Sequence, residues 1–374
     1  MIILGLMSGT SGDGIDGVAA EFYDNDCFKF LWHKSYKFCE RQFARIQRLI
    51  KSATAETITL GHAYVSRLYA EACVSFFENE KALPDYLAAH GQTVFHHPNI
   101  AIWDEAELSG TLQLLDGFLL SHLTKLPVIY NFRQADMAVG GQGAPLVPFA
   151  DLKMFGKNIE NKKYRIILNI GGIANVTILQ GLPSGSTVKC AFDTGPGNGL
   201  MDDYMQLNKL GRFDESGKIA SQGKTIDELL KFFLADPYFE QDPPKSTGRE
   251  YFCIERIKDR LQNISFSDCM STLTDLTVES IFCAIKPYIY NTDELVIAGG
   301  GAFNTELSER LRKKCLLSNV AVKTSTEYGI PVMAREAMAF SILGHAFLNR
   351  EPGNLPTATG ASKEVVLGSL VSVC

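Results

Sequence analysis

The sequence predicts an α/β protein built from two related halves, and three observations predict it. The chain has 374 residues; at roughly 150 residues per domain, that length holds two cores. It opens on an apolar run, a glycine turn and a second apolar run, and the pattern returns at Ile166-Ile167-Leu168, as a duplicated unit would. In the second half, helical and strand patterns alternate, the mark of the α/β class.

Composition narrows the function classes. Hydrophobic residues make up 46% and charged residues 21%, as in a soluble globular chain. The 36 basic and 42 acidic residues give a net charge of −6. With no Lys/Arg run, nucleic acid is not an expected partner, whereas an anionic small molecule can still be held by backbone N–H groups. The nine cysteines include no C-x-x-C pair and none at zinc spacing beside a histidine, so they read as reduced thiols of a cytoplasmic protein. Residues 1–7 are apolar but have no basic flank, so they read as a strand and not as a signal peptide. No apolar run reaches the roughly 18 residues of a membrane helix, and no membrane partner is expected.

In chain order, residues 2–7 form the first strand and Gly9-Thr10-Ser11-Gly12-Asp13-Gly14 a tight turn. Residues 18–23 and 27–38 are further strands. Helices follow over 41–51 and 56–79, where Leu60, Tyr64 and Leu68 recur at i, i+4. Residues 86–90 and 111–115 are short strands, a helix covers 116–124 and a strand 127–132. Gly140-Gly141-Gln142-Gly143-Ala144-Pro145 is the best hinge or domain crossing. Strand, glycine turn and strand return over 165–179. Helices are expected at 225–234, 250–262, 267–288, 305–315 and 332–348, with Ser267 and Asn304 as N-caps, and strands at 294–298 and 319–324. The lobes are then residues 1–135 and 136–350, and residues 351–374 form a tail expected to pack back on the first lobe.

Three glycine-rich turns end apolar strands: Met7 to Asp16, Asn169 to Asn175, and Ala298-Gly299-Gly300-Gly301. Glycine lets backbone approach phosphate oxygens, and strand ends are where α/β folds bind ligands. Plain hairpin turns would leave the Ser/Thr/Asp content of the first unexplained. A carboxylate beside phosphate needs a cation between them, which implies Mg²⁺; Asx-turn residues are the bland alternative. Gly217-Lys218-Ile219-Ala220-Ser221-Gln222-Gly223-Lys224-Thr225 looks like a phosphate loop but has one residue too many between its glycines. It reads as a loop opening a helix.

The sharpest constellation is Ala191-Phe192-Asp193-Thr194-Gly195-Pro196-Gly197-Asn198. A strand delivers Asp193 to its end, beside a helix N-terminus, where it serves either as a general base or as a cap. His90, in His90-Gly91-Gln92-Thr93, is placed to contact a ligand hydroxyl. Arg133 follows a strand and is either a fork for a carboxylate or phosphate or the partner of Asp136. Glu336, on an amphipathic helix, faces either a cleft or solvent.

Together these segments resemble the anhydro-N-acetylmuramic acid kinase family. The carriers run from Gly5-Leu6-Met7-Ser8-Gly9-Thr10-Ser11-Gly12-Asp13-Gly14-Ile15-Asp16 through His90-Gly91-Gln92-Thr93, Asn131-Phe132-Arg133-Gln134-Ala135-Asp136, Asn169-Ile170-Gly171-Gly172-Ile173-Ala174-Asn175 and Asp193-Thr194-Gly195-Pro196-Gly197-Asn198. They continue through Gly299-Gly300-Gly301 and Glu336-Ala337-Met338-Ala339-Phe340 to Pro352-Gly353-Asn354-Leu355-Pro356. Gly12 departs from the pattern, since a larger residue is expected there.

The resemblance implies two related lobes of actin-like ATPase (ribonuclease H-like) type with an ATP cleft between them. It implies a cytoplasmic enzyme that uses water to open the 1,6-anhydro ring of 1,6-anhydro-N-acetylmuramic acid and phosphorylates O6 from ATP with Mg²⁺, within peptidoglycan recycling. ATP contacts are implied at Gly9, Thr10, Ser11, Gly12, Asp13, Gly14, Ile15, Asp16, Gly171, Gly172, Asn175, Gly299 and Gly300. Substrate contacts are implied at His90, Gln92, Arg133, Asp193 and Glu336. Asp193 is expected as the catalytic base, and Asp13 or Asp16 is expected near the metal. The partner is a small anhydro amino sugar, and a homodimer is compatible with the pattern. Two rivals remain at this stage: an ordinary hexokinase-like sugar kinase, and an actin-like nucleotide-binding interaction protein.

Overall fold

The computed structural model describes residues 1–9, 11–23 and 27–373. The chain divides into two compact units: Met1–Lys153 together with Ala334–Cys374, and Met154–Met333. The boundaries thus lie at 153/154 and 333/334, not at 135/136 and 350/351. Packing explains the shift. The helix Arg335–Leu348 belongs to the first unit because strand β1 (Ile2–Ser8) lies against it. Gly5 N–H donates to Ser341 Oγ at 3.0 Å, and Ser341 Oγ donates to Val18 O at 2.9 Å. A Cβ on Gly5 would stand 2.0 Å from Ala337 O, so only glycine permits this approach.

In the first unit, β1, β2 (Gly14–Phe22) and β3 (Phe28–Lys37) form an antiparallel meander. Then β4 (Tyr86–Trp103) runs parallel to β1, β5 (Ala106–Leu114) folds back on β4, and β6 (Val128–Tyr130) lies parallel to β4. Ser369–Val371 adds antiparallel to the edge of β6. The β1 strand is buried along most of its length, which is why it reads as a continuous apolar run. Leu4, Leu6, Leu68, Tyr69, Phe76 and Leu87 join it to the helix Ala55–Phe77 in one core.

The second unit repeats this plan. Strands β7 (Tyr164–Ile170), β8 (Ile173–Leu182) and β9 (Gly185–Pro196) form the meander. Strand β10 (Thr292–Ala298) runs parallel to β7, and β11 (Ala321–Thr324) parallel to β10. The orders β3-β2-β1-β4-β6 and β9-β8-β7-β10-β11 match strand for strand. The duplicated opening in the sequence is therefore a duplicated sheet. The helix Phe266–Ile285 supplies Met270, Leu273 and Ile281 to the second core.

Several local expectations change. The strand expected over 86–90 continues to Trp103, because β5 pairs with it as a long hairpin. The helix expected over 250–262 is replaced by two short turns, Ile254–Arg256 and Lys258–Leu261. Phe252 and Ile254 are both buried, and residues two apart cannot share one helix face. Ser265, not Ser267, caps the Phe266–Ile285 helix, whereas Asn304 does cap its helix, accepting from Leu307 N at 3.1 Å. The false phosphate loop is a loop whose Ile219 and Ala220 N–H groups are held by the Asp214 carboxylate. The glycine stretch at 140–143 is pinned within the first unit and is not the crossing. Asp136 accepts from Gly143 N at 2.7 Å, and Gln142 N donates to Thr359 O at 2.8 Å. No disulfide joins the described cysteines, and no helix among the described residues is long and apolar enough to cross a membrane.

Candidate active site

The three glycine turns stand at the C-terminal ends of β1, β7 and β10. In the first, Ser8 Oγ lies 2.8 Å from Gly14 O and 2.7 Å from Gln92 Oε1. Gln92 Nε2 donates to Gly9 O and to Thr93 O, both at 3.1 Å. Gln92 is buried, and its amide is fully engaged with the protein. It therefore shapes the loop, its amide taking protein partners where the sequence suggests a sugar contact.

Gly12 has φ +61°, and a Cβ there would stand 2.6 Å from Ile46 Cγ2. Glycine relieves both the positive φ and this contact. Asp13 is exposed and accepts from Ser11 Oγ at 2.6 Å. Asp16 accepts from Ser35 Oγ and from His33 Nε2. Ile15 points into the core, so only its backbone is available to a ligand. Thr10 lies outside the described residues.

His90, Arg133, Asp16 and Glu336 form one polar cluster in the first unit. Arg133 Nε donates to His90 Nε2 at 3.0 Å, and Arg133 Nη1 donates to Gly143 O at 2.7 Å. Since His90 Nε2 accepts, Nδ1 carries the proton and donates to Gly91 O at 3.0 Å. Burial, with Arg133 beside it, holds His90 well below the usual imidazole range, so the ring is neutral. His90 thus orients Arg133, with both ring nitrogens engaged within the protein. Arg133 is not paired with Asp136, whose carboxylate takes Gly143 N, Asn354 Nδ2 and Thr359 Oγ1. Burial lowers Arg133 to about 10, still fully charged at neutral pH. Glu336 is half-buried and faces this cluster. Burial raises its pKa and Asp16 adds to the effect, while Arg335 and Arg133 oppose it. Arg335 itself is tied to Asp151, Nε to Oδ1 at 2.7 Å and Nη2 to Oδ2 at 2.5 Å.

In the second unit, the Gly171-Gly172 turn interlocks with the start of the helix Gly199–Leu207. Gly197 N and Gly199 N donate to Gly172 O, and Asn198 N donates to Gly171 O at 2.8 Å. A Cβ on Gly197 would stand 2.3 Å from Gly171 O, so the glycines allow backbone to meet backbone. Asn175 stands opposite Asp193 across β8 and β9. Asp193 does not cap the helix, whose N-cap is Asn198. Its Oδ2 accepts from Thr247 N at 2.9 Å, and its backbone O accepts from Tyr238 OH at 2.8 Å. Burial pushes the Asp193 carboxyl up to about 6, with the Thr247 N–H opposing. A charged, half-buried carboxylate near the working pH is what a general base requires. At the third turn, Gly299 has φ +82° and Gly300 is exposed, where a Cβ would meet only Met333 Sδ, at 4.0 Å.

Among the described residues, no three His, Cys, Asp or Glu side chains converge as a metal cage. Magnesium is usually held by one or two carboxylates together with substrate phosphates, and the exposed Asp13 carboxylate in the first turn fits that mode.

A family model described as anhydro-N-acetylmuramic acid kinase matches residues 1–373. The chain belongs to the anhydro-N-acetylmuramic acid kinase family. Among curated relatives, that kinase of Bacillus thuringiensis subsp. konkukian (strain 97-27) is 35% identical over 386 residues, covering 99% of each chain. That of Shewanella pealeana (strain ATCC 700345 / ANG-SQ1) is 40% identical over 375 residues, covering 98% of this chain and 97% of the relative. A solved structure, the activator of the 2-hydroxyisocaproyl-CoA dehydratase from Clostridium difficile with bound ADPNP, is similar at TM-score 0.42 and 12% identity, covering 91% of this chain and 93% of that one. That likeness is too distant to carry weight. As a member of the anhydro-N-acetylmuramic acid kinase family, the chain is an ATP-dependent sugar kinase and not an actin-like interaction protein.

The Lys245–Arg249 stretch around Asp193 was not singled out in the sequence. Its signal is weak, because Thr247 lies 54 residues from the aspartate it holds.

Proposed function

We propose that this kinase hydrolytically opens the 1,6-anhydro ring of 1,6-anhydro-N-acetylmuramic acid and phosphorylates the freed O6. Asp193 takes a proton from water, and the water oxygen bonds to C1 as the C1–O6 bond breaks. The O6 electron pair attacks the terminal phosphorus of ATP, ADP leaves, and Asp193 returns its proton to solvent. The product is N-acetylmuramic acid 6-phosphate. The observation that carries this reading is Asp193, raised to about 6 by burial and fixed by Thr247 N–H. Arg133 recognises the lactyl carboxylate of the sugar, its guanidinium aimed by His90. The Gly9 to Gly14 loop and the Gly171 turn hold phosphates through backbone N–H groups, and the exposed Gly300 admits adenosine. Asp13 would help hold Mg²⁺, which would neutralise charge on the phosphates. The enzyme works in the cytoplasm.

Turnover in ¹⁸O-water tests this. The product should gain one phosphoryl group and one labelled water oxygen at C1. A phosphorylated product with the ring intact and no label would establish the ordinary sugar kinase instead.

A further inference from the structure

Arg249 has no role so far, although it lies where phosphate chemistry needs a cation. Its side chain runs across the second glycine turn. A Cβ on Gly172 would stand 3.0 Å from Arg249 Cδ, and one on Gly199 would stand 3.4 Å from Arg249 Nε. Gly172 and Gly199 are therefore glycines partly because this arginine covers them. By contrast, a Cβ on Gly171 would make only an ordinary contact, 3.5 Å from Ile173 O.

The guanidinium has unused donors. Nη2 donates to Asp203 Oδ1; neither Nε nor Nη1, nor the Gly172 N–H beside them, has an acceptor among the described residues. The Arg249 side chain is 50% exposed, so a ligand can reach it. Asp202 and Asp203 supply its counter-charge, which an arriving phosphate can replace.

Its place in the chain ties it to the reacting end of the site. Asp193 N donates to Lys245 O at 3.1 Å, and Thr247 N donates to Asp193 Oδ2 at 2.9 Å. The same short stretch therefore positions the Asp193 carboxylate and, two residues on, lays Arg249 over the turn.

We propose that Arg249 binds the terminal phosphoryl group of ATP, using its fork of N–H donors together with the Gly172 N–H. Planar, permanently charged arginine suits this role, because it pairs with phosphate oxygens in a bidentate manner. The inference rests on the kinase reading, and the test separates the two.

Calorimetry on the full chain with magnesium compares ADP with the β,γ-imido analogue of ATP. In Arg249→Gln, affinity for the analogue should fall roughly 10- to 100-fold, as for a lost charge-assisted hydrogen bond, while ADP affinity stays within about threefold. Arg249→Lys should recover part of the loss. Analogue affinity within about threefold of wild type, or equal losses for both nucleotides, would overturn the assignment. A wild-type protein that binds neither nucleotide would instead overturn the kinase reading. Arg249 is half-exposed, so its substitution puts the fold at little risk, and thermal unfolding of each variant checks this.

Discussion

Asp193 is held in a state that the folded protein would not choose for stability alone. Its carboxyl is raised from 3.8 to about 6, so the folded state binds the proton more tightly than the unfolded one. The stability this gives is present below pH 3.8 and is lost as pH rises through about 6. Above that, the charged carboxylate costs on the order of 3 kcal/mol. Asp193→Asn should therefore unfold at a higher temperature than wild type at pH 8, with the gap closing below pH 6, while kcat falls by roughly 10²–10⁴. Thermal melts at the two pH values and steady-state kinetics measure both effects, and in wild type kcat/KM should decline on the acid side near pH 6. Gln92 carries a second prediction. Gln92→Leu removes the amide that holds Ser8 and Gly9, so the KM for ATP should rise about tenfold, as for a lost buried hydrogen bond. The KM for the sugar should not move. A shift in the sugar KM alone would restore the substrate contact expected from the sequence. A residue type shows that hydrogen bonds will be made, but not with whom. Gln92 and His90 satisfy theirs within the protein.

At the scale of elements, the glycine turns were legible because strand ends and glycines are local signals. Their reasons were not, since each depends on a distant neighbour. Gly12 meets Ile46, Gly172 meets Arg249, and Gly197 meets Gly171. Gly12→Ala combines a positive φ with a 2.6 Å contact, and should destabilise the protein by about 1–3 kcal/mol. Thermal unfolding would show the loss, and ATP affinity should fall with it, because the loop must move to admit the methyl group. The helix expected over 250–262 failed in the same way. Its composition suits a helix, yet Phe252 and Ile254 both found buried sites and tertiary packing overrode propensity.

At the scale of the molecule, the α/β class and the duplication were legible, whereas the discontinuity of the first unit was not. Nothing local announces that Asp136 will be bonded by Asn354 and Thr359, which lie more than two hundred residues away. This buried carboxylate ties the 140–143 loop to the last segment of the chain. Asp136→Ala would leave buried donors without an acceptor and should cost roughly 3–5 kcal/mol. Limited proteolysis should then cut between residues 351 and 368 at a protease level that leaves wild type intact. Unchanged protection would show that the β6 edge pairing holds the segment by itself.

The interruption of the first unit also sets an order of events on the ribosome. Strand β1 precedes Met154–Met333 in the chain, but the Arg335–Leu348 helix that covers Ile3 and Gly5 is translated only after all of it. At about 5–20 residues per second, the nascent chain carries that apolar strand face for on the order of ten seconds or more. The second unit, with its own core, can be complete by then. The interrupted unit, begun before Met154–Met333, is thus the last to close.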